Sequence, residues 1–295
     1  MYKILSLDGG GLHGYAGVTI LKRLMEKCPN LLNDVDLIAG TSVGGIIGLG
    51  MAMGHGIDIV EKNFTNGVPL AFTPEFPRIL GFYFGVCSKY NPSKLKKFLE
   101  FVYNGLCLGD LKKKVVIPSF CLDDESSVRR RWKPKIFHNF SSQDYDLKLI
   151  DVAMATCAVP VIFPSYGKYI DGAVVANNPT LCAIAQSQDV HVDLKPKLED
   201  ICVLSLGTVR DSYVERKNVD WGYLKWIKTI LKMLPERDLP IVNYQASLLL
   251  GSRYHRIELI INTPMDDVKG LGEIKKISLE HDIQDTDIWL NKNWR

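Results

Sequence analysis

The sequence predicts an α/β fold built on a covered, mainly parallel sheet, and three stretches carry that prediction. Ile4-Leu5-Ser6-Leu7-Asp8 alternates like a strand, ends in Gly9-Gly10-Gly11, and gives way between Tyr15 and Lys27 to apolar residues at helical spacing (Val18, Leu21, Leu24, Met25). Leu37 to Ile47 reads as strand, sharp turn and helix around Gly40-Thr41-Ser42-Val43-Gly44. Asp200 to Thr208 is a continuous apolar run of the kind buried on both faces of a sheet, ending in a glycine turn. Strands of this type alternating with helices imply parallel pairing with helices over the faces.

The elements between these stretches follow the same logic. Asp58 to Phe64 reads as a short helix. Phe64 to Tyr90 reads as irregular, with three prolines and many aromatics, and suits either a channel wall or lid or a loop whose rings are buried. Asn91-Pro92 is a cap and first-turn pair for a helix running to about Tyr103. Val115 to Leu122 and Pro134 to Phe140 are strands joined by the charged segment Asp123 to Lys133, as in a hairpin. Leu147 to Ala158 is helical and is stopped by Val159-Pro160. Lys168 to Ile170 is a short strand that delivers Asp171-Gly172-Ala173 to a loop, and a helix follows from Thr180 to Gln188.

The whole chain sets outer bounds. Its 295 residues carry no repeat, linker or low-complexity tract, so one domain over 1–295 is expected, with a motif-bearing core of about 3–208 and a helical C-terminal extension of about 209–295. Hydrophobic residues at 46% and charged residues at 23% are those of a folded globule. A net charge of +3 argues against a nucleic-acid polymer as partner, and the basic run Arg129 to Lys133 reads as a solvated hairpin end. Seven scattered cysteines without C-x-x-C pairs, several of them in apolar segments (Cys157, Cys182, Cys202), fit reduced thiols in an intracellular compartment. The N-terminus lacks the features of a signal peptide. Leu37 to Gly54 is uncharged, but its glycines make it a poor membrane span.

Gly40-Thr41-Ser42-Val43-Gly44 fits G-x-S-x-G, in which glycines let the backbone hold a serine on a strained elbow. The helix that starts next offers unpaired N–H groups and positive potential to an oxyanion, with the Val43 N–H as the first donor. A serine hydroxyl needs a base. His191, His255 and His281 follow Asp171 in the order of an α/β hydrolase, but none sits in a recognisable strand-end loop. Asp171 ends a strand and precedes Gly172, so a Ser–Asp dyad is the alternative, set against an ordinary Asp-Gly turn. Gly9-Gly10-Gly11-Leu12-His13-Gly14 also matches the G-x-G-x-x-G of dinucleotide sites, but no acid follows at the end of a second strand, since the next strand ends at Ser42. The same loop can instead supply donors to a developing negative charge. His13 there is either a headgroup-phosphate ligand or, more simply, an exposed loop residue.

Taken in order, Asp8-Gly9-Gly10-Gly11-Leu12-His13-Gly14, Gly40-Thr41-Ser42-Val43-Gly44 and Asp171-Gly172-Ala173 resemble the patatin-like phospholipases. Ala155-Thr156-Cys157-Ala158-Val159-Pro160, Asn177-Asn178-Pro179 and Ser205-Leu206-Gly207-Thr208 extend the resemblance over roughly Lys3 to Thr208. It implies a three-layer α/β/α fold and hydrolysis of acyl esters of phospholipids and other lipids without metal, cofactor or histidine. By motif, Ser42 is the nucleophile, Asp171 its base, and Gly10, Gly11 and Val43 the oxyanion donors. One departure is the Leu-His pair after the third glycine, where the family commonly carries Lys or Arg.

The resemblance also implies a cytoplasmic protein that touches membrane peripherally when it acts. Trp221 to Leu234 has the pattern for such contact: Tyr223, Trp226, Ile227, Ile230 and Leu234 share one helical face, and Lys225, Lys228 and Lys232 another. The plainer expectation is a helix packed on the sheet with a solvated basic side. Two other functions compete with simple lipolysis: an effector of the same fold gated by a small-molecule activator such as a cyclic nucleotide, and a non-catalytic dinucleotide-binding protein.

Overall fold

The computed structural model describes residues 1–189, 195–210, 220–233 and 239–294; of Leu224, Lys228, Leu231 and Lys232 it describes the backbone alone. Seven strands are described: β1 (Tyr2–Leu7), β2 (Leu37–Gly40), β3 (Lys114–Cys121), β4 (Lys133–His138), β5 (Tyr169–Asp171), β6 (Ile201–Val209) and β7 (Tyr254–Ile260). The helices of the first half are α1 (Gly14–Lys27), α2 (Val43–Ala52), α3 (Ile57–Gly67), α4 (Phe76–Tyr83) and α5 (Ser93–Tyr103). Those of the second are α6 (Leu149–Thr156), α7 (Thr180–Gln186), α8 (Tyr223–Met233), α9 (Leu239–Leu250), α10 (Leu271–Glu280) and α11 (Gln284–Asn293).

The strands form one sheet in the order β4-β3-β2-β1-β6-β7, with β5 paired to β3 off this path. All pairs are parallel except β3 with β4 and β3 with β5. Because side chains alternate across a strand, the continuous apolar runs feed two cores at once. Leu5, Ile38 and Leu204 enter a large core with α1, α2 and α6, whereas their neighbours Ile4, Leu37 and Val203 enter a second with Ala183 and Ile184 of α7 and Leu250 of α9. The result is the three-layer α/β/α arrangement, with a mixed, mostly parallel sheet.

One detail of register positions the site. β2 pairs with the first part of β3, Leu37 with Lys114 through Ala39 with Val116, and leaves the sheet at Gly40. β5 then pairs with the last part of β3, Asp171 with Ser119 through Tyr169 with Cys121. Thus β5 occupies the β3 edge that β2 vacates, which brings Asp171 beside the turn at residues 40–44.

Two expectations need correction. The stretch 64–90 is not irregular throughout: it contains a 3₁₀ turn at Val68–Phe72 and α4, whose start is set by Pro77 in the first turn. Its aromatics divide, with Phe72 buried and Phe76, Tyr83 and Phe84 exposed. The region after residue 209 is not only helical, because Tyr254–Ile260 adds β7 to the sheet, with Ile257 and Leu259 buried and Glu258 and Ile260 exposed. The basic run agrees with its expectation: Arg130, Arg131 and Lys133 are paired with Asp123 and Asp124 across the tip of the β3–β4 hairpin, in keeping with a solvated end. No helix among the described residues is long and apolar enough to cross a membrane.

Candidate active site

The turn between β2 and α2 holds Ser42 at φ 55° and ψ −125°, a backbone state costly for a residue with a side chain. Close packing on either side enforces it: a Cβ on Gly40 would lie 2.3 Å from the Gly44 carbonyl oxygen, and one on Gly44 would lie 2.4 Å from that of Leu7. The turn is then fastened to neighbouring elements. Thr156 Oγ1 accepts the Ser42 N–H at 2.9 Å and donates to the Pro118 carbonyl at 2.6 Å, while Thr41 Oγ1 donates to the Ala176 carbonyl at 2.7 Å.

Asp171 closes β5 and is 1% exposed. Its N–H donates to the Ala158 carbonyl at 2.9 Å, and its Oδ1 accepts the Ala173 N–H at 2.7 Å. Burial pushes the carboxyl up to about 7, against the opposing pull of the Ala173 N–H and the Ser42 hydroxyl. Ser42 therefore lies close enough to act on the carboxyl. Yet Asp171 Oδ2 has no well-aligned hydrogen bond among the described residues, so the resting pair is adjacent without being locked together. The Cys157 thiol is buried beside both, held well above its ordinary pKa first by desolvation and then by the Asp171 charge.

The Gly9–Gly11 loop faces this pair. Gly9 N–H donates to the Asn177 carbonyl at 3.2 Å and Leu12 N–H to the Met265 carbonyl at 2.8 Å. The intervening Gly10 and Gly11 N–H groups, like that of Val43 at the first position of α2, have no acceptor among the described residues. Gly11 sits at φ 55°, and a Cβ there would lie 2.5 Å from the Met265 carbonyl oxygen, so two constraints exclude a side chain. His13 is neither exposed nor free to hold a phosphate. It is buried, its Nε2 lies 2.7 Å from the Thr263 carbonyl and its Nδ1 3.3 Å from Thr208 Oγ1, and desolvation lowers its pKa to about 4, leaving it neutral at pH 7.

One cavity of about 390 Å³ joins these parts. Gly9, Gly10, Gly11, Ser42, Val43 and Asp171 line its polar floor, and Val68, Phe72, Leu95, Ile162 and Phe163 supply apolar walls. Phe82 reaches the wall from α4. Two cations border the space: Lys89, paired with Asp266 at 2.5 Å, and Arg210.

Most residues expected from sequence converge here. Asp8, Gly14, Gly40, Gly44 and Gly172 act behind the lining, through backbone packing or, for Asp8, through an ion pair. A Cβ on Gly14 would lie 2.8 Å from Val43 Cγ1, and one on Gly172 would lie 2.2 Å from the Pro118 carbonyl oxygen. His255 and His281 are not part of the cavity lining; His255 stacks on Trp289 and meets Thr286 Oγ1 at 2.9 Å. His191 lies outside the described residues. Sequence reasoning missed the anchoring hydroxyl of Thr156, the Asn177 carbonyl, and the Thr263 and Met265 carbonyls. Only Thr156 and Asn177 fall in stretches that stood out, and nothing in those stretches indicated what the groups would hold.

Fold and elbow put the chain in the class of α/β serine hydrolases. Residues 5–184 match the family model described as Patatin-like phospholipase, and the chain belongs to that family of serine lipid acyl hydrolases. CotR of Bacillus subtilis (strain 168) is 27% identical over 322 residues, covering 99% of this chain and 98% of that protein. A cGAMP-activated phospholipase of Pseudomonas aeruginosa (strain BWHPSA011 / Pa011) is 30% identical over 267 residues, covering 87% of this chain and 78% of its own length. Patatin-like protein 3 of Arabidopsis thaliana is 28% identical over 353 residues, covering 98% and 77% respectively.

Proposed function

We propose that the protein cleaves acyl ester bonds of membrane phospholipids, with Ser42 as nucleophile and Asp171 as its base. The observation that carries this reading is the juxtaposition of a strained serine and a buried carboxyl on the floor of an apolar cavity, beneath three N–H groups that have no acceptor among the described residues. The Asp171 carboxylate takes the Ser42 proton as Oγ attacks the acyl carbonyl, and the N–H groups of Gly10, Gly11 and Val43 hold the resulting oxyanion. Collapse breaks the ester bond, and the leaving alkoxide takes the proton from Asp171. Water, deprotonated by Asp171, then releases the fatty acid and regenerates Ser42. A base with a pKa near 7 is ionised in part at neutral pH and still strong enough to accept the proton.

Exposed apolar residues on two helices support contact with a bilayer. α4 sends Phe82 into the cavity wall while Phe76, Leu80 and Tyr83 are exposed. α8 exposes Tyr223, Trp226, Ile227, Ile230 and Met233, so its apolar face is not packed on the sheet; Lys225 stacks over Trp221 with Nζ 4.0 Å from the ring centre. Leu234, expected on the same face, lies outside the described residues. Such a helix is suited to the peripheral attachment of a cytoplasmic protein.

Fatty acid release from phosphatidylcholine vesicles, followed by mass spectrometry, tests the reading. The purified protein should release fatty acid and Ser42→Ala should not. A second reading, favoured by the similarity to the cGAMP-activated phospholipase, is that the same chemistry waits for a small-molecule activator. It predicts silence that a cyclic dinucleotide relieves in the wild type and not in Ser42→Ala.

A further inference from the structure

We propose that Arg256, on β7, is a positioning residue for the oxyanion loop and acts through Asp8. The inference rests on the reading of Gly10 and Gly11 as oxyanion donors. Glycines impose little backbone preference of their own, and a donor helps only if it is held within a few tenths of an ångström of its place. The shape of a loop with three consecutive glycines must therefore be set by what grips it from outside.

Beside the Asn177 carbonyl on Gly9, much of the grip comes from one late segment of the chain. Arg256 lies opposite Ser205 in the parallel β6–β7 pair, one strand removed from β1. Its Nη2 reaches across β6 to Asp8 Oδ2 at 2.7 Å, with side-chain exposures of only 7% and 2%. The crossing passes over Gly207, where a Cβ would lie 2.0 Å from Asp8 Oδ2 and 2.5 Å from Arg256 Nη2. The guanidinium is itself fixed, because Nη1 donates to Ser205 Oγ at 3.0 Å and Nε to Glu258 Oε2 at 2.8 Å. Asp8 is the residue from which the loop departs, and its N–H donates to the Leu206 carbonyl at 3.0 Å. A few residues beyond β7, the Met265 and Thr263 carbonyls hold Leu12 and His13 at the loop's other end. The two donors thus lie between two clamps, both supplied by residues 256–265.

A buried ion pair contributes little net stability over a well-packed apolar pair, but it fixes geometry, and removal of one partner leaves an uncompensated buried charge. The test must separate these effects. Arg256→Met, Arg256→Lys and the double variant Asp8→Asn/Arg256→Met are compared with wild type for melting temperature, kcat and KM on p-nitrophenyl butyrate. The double variant carries no lone buried charge and should recover melting temperature relative to Arg256→Met. Positioning predicts that its kcat nevertheless stays ~10²-fold below wild type with KM within about twofold, a loss of the size seen when one oxyanion donor is removed. Arg256→Lys, which keeps the charge and loses the fork, should fall between. A folded double variant with wild-type kcat, or a change confined to KM, would overturn the proposal. Failure of the underlying reading would look different, since Ser42→Ala would then retain turnover.

Discussion

The two backbone segments that meet on the cavity floor are held in opposite ways. The Ser42 turn carries its own signature in five residues, since Gly40 and Gly44 permit approaches, to the turn's own backbone and to that of Leu7, which no side chain would allow. The Gly9–Gly11 loop has no such internal logic, and its shape depends on Asn177, Met265, Thr263 and, through Asp8, Arg256. A nucleophile must be strained in one direction, which local sequence can encode. A pair of donors must be placed relative to that nucleophile, which only the assembled fold can do.

The largest effects should come from the floor itself. Ser42→Ala should abolish ester hydrolysis with circular dichroism unchanged. Asp171→Asn should lower kcat by ~10²–10⁴-fold, because the amide keeps the shape but cannot accept the proton. The same substitution should raise stability in alkali. With a folded-state value of about 7 against about 3.9 unfolded, Asp171 contributes stability that is complete below about pH 4 and lost as pH rises through about 7. Asp171→Asn should therefore melt higher than wild type at pH 8, by ~2–4 kcal/mol in stability, with the gap closing toward pH 4; an equal or lower melting temperature at pH 8 would show that the carboxyl is not disfavoured by burial.

Next comes the fastening of the turn. Thr156→Val leaves the Ser42 N–H and the Pro118 carbonyl without their shared partner, which should cost ~1–3 kcal/mol. Because Gly40 and Gly44 remain, kcat should drop far less than in Asp171→Asn while KM holds. If Thr156→Val instead matched Asp171→Asn in kcat, the turn would depend on distant anchors as much as the glycine loop does.

This difference also explains what could be read from sequence. Ser42 was legible because Gly40 and Gly44 announce a close approach within five residues, and Asp171 because it sits between a strand and a glycine. Asp8 was visible only as part of a motif; its partner lies 248 positions away in a strand with just two buried apolar residues, a signal too weak to mark β7. The same shortness of signal hid α4 among prolines and aromatics. His13 was misread because a histidine in a glycine loop looks exposed until Thr263 and Thr208 arrive around it.

The smallest effect should come from α8, none of whose described residues lines the cavity. Trp226→Ser, on the exposed face of α8, should reduce turnover on anionic vesicles and leave a soluble short-chain ester unaffected, with the loss easing in high salt as lysine attraction is screened. Equal losses on both substrates with a lower melting temperature would make Trp226 a packing residue.

The most direct test of the Ser–Asp account is covalent labelling with a fluorophosphonate probe, located by mass spectrometry and timed across pH. The account predicts one adduct, on Ser42, whose rate of formation rises as pH passes about 7 and falls at least tenfold in Asp171→Asn. An adduct on another residue, or labelling of Asp171→Asn at the wild-type rate, would contradict it.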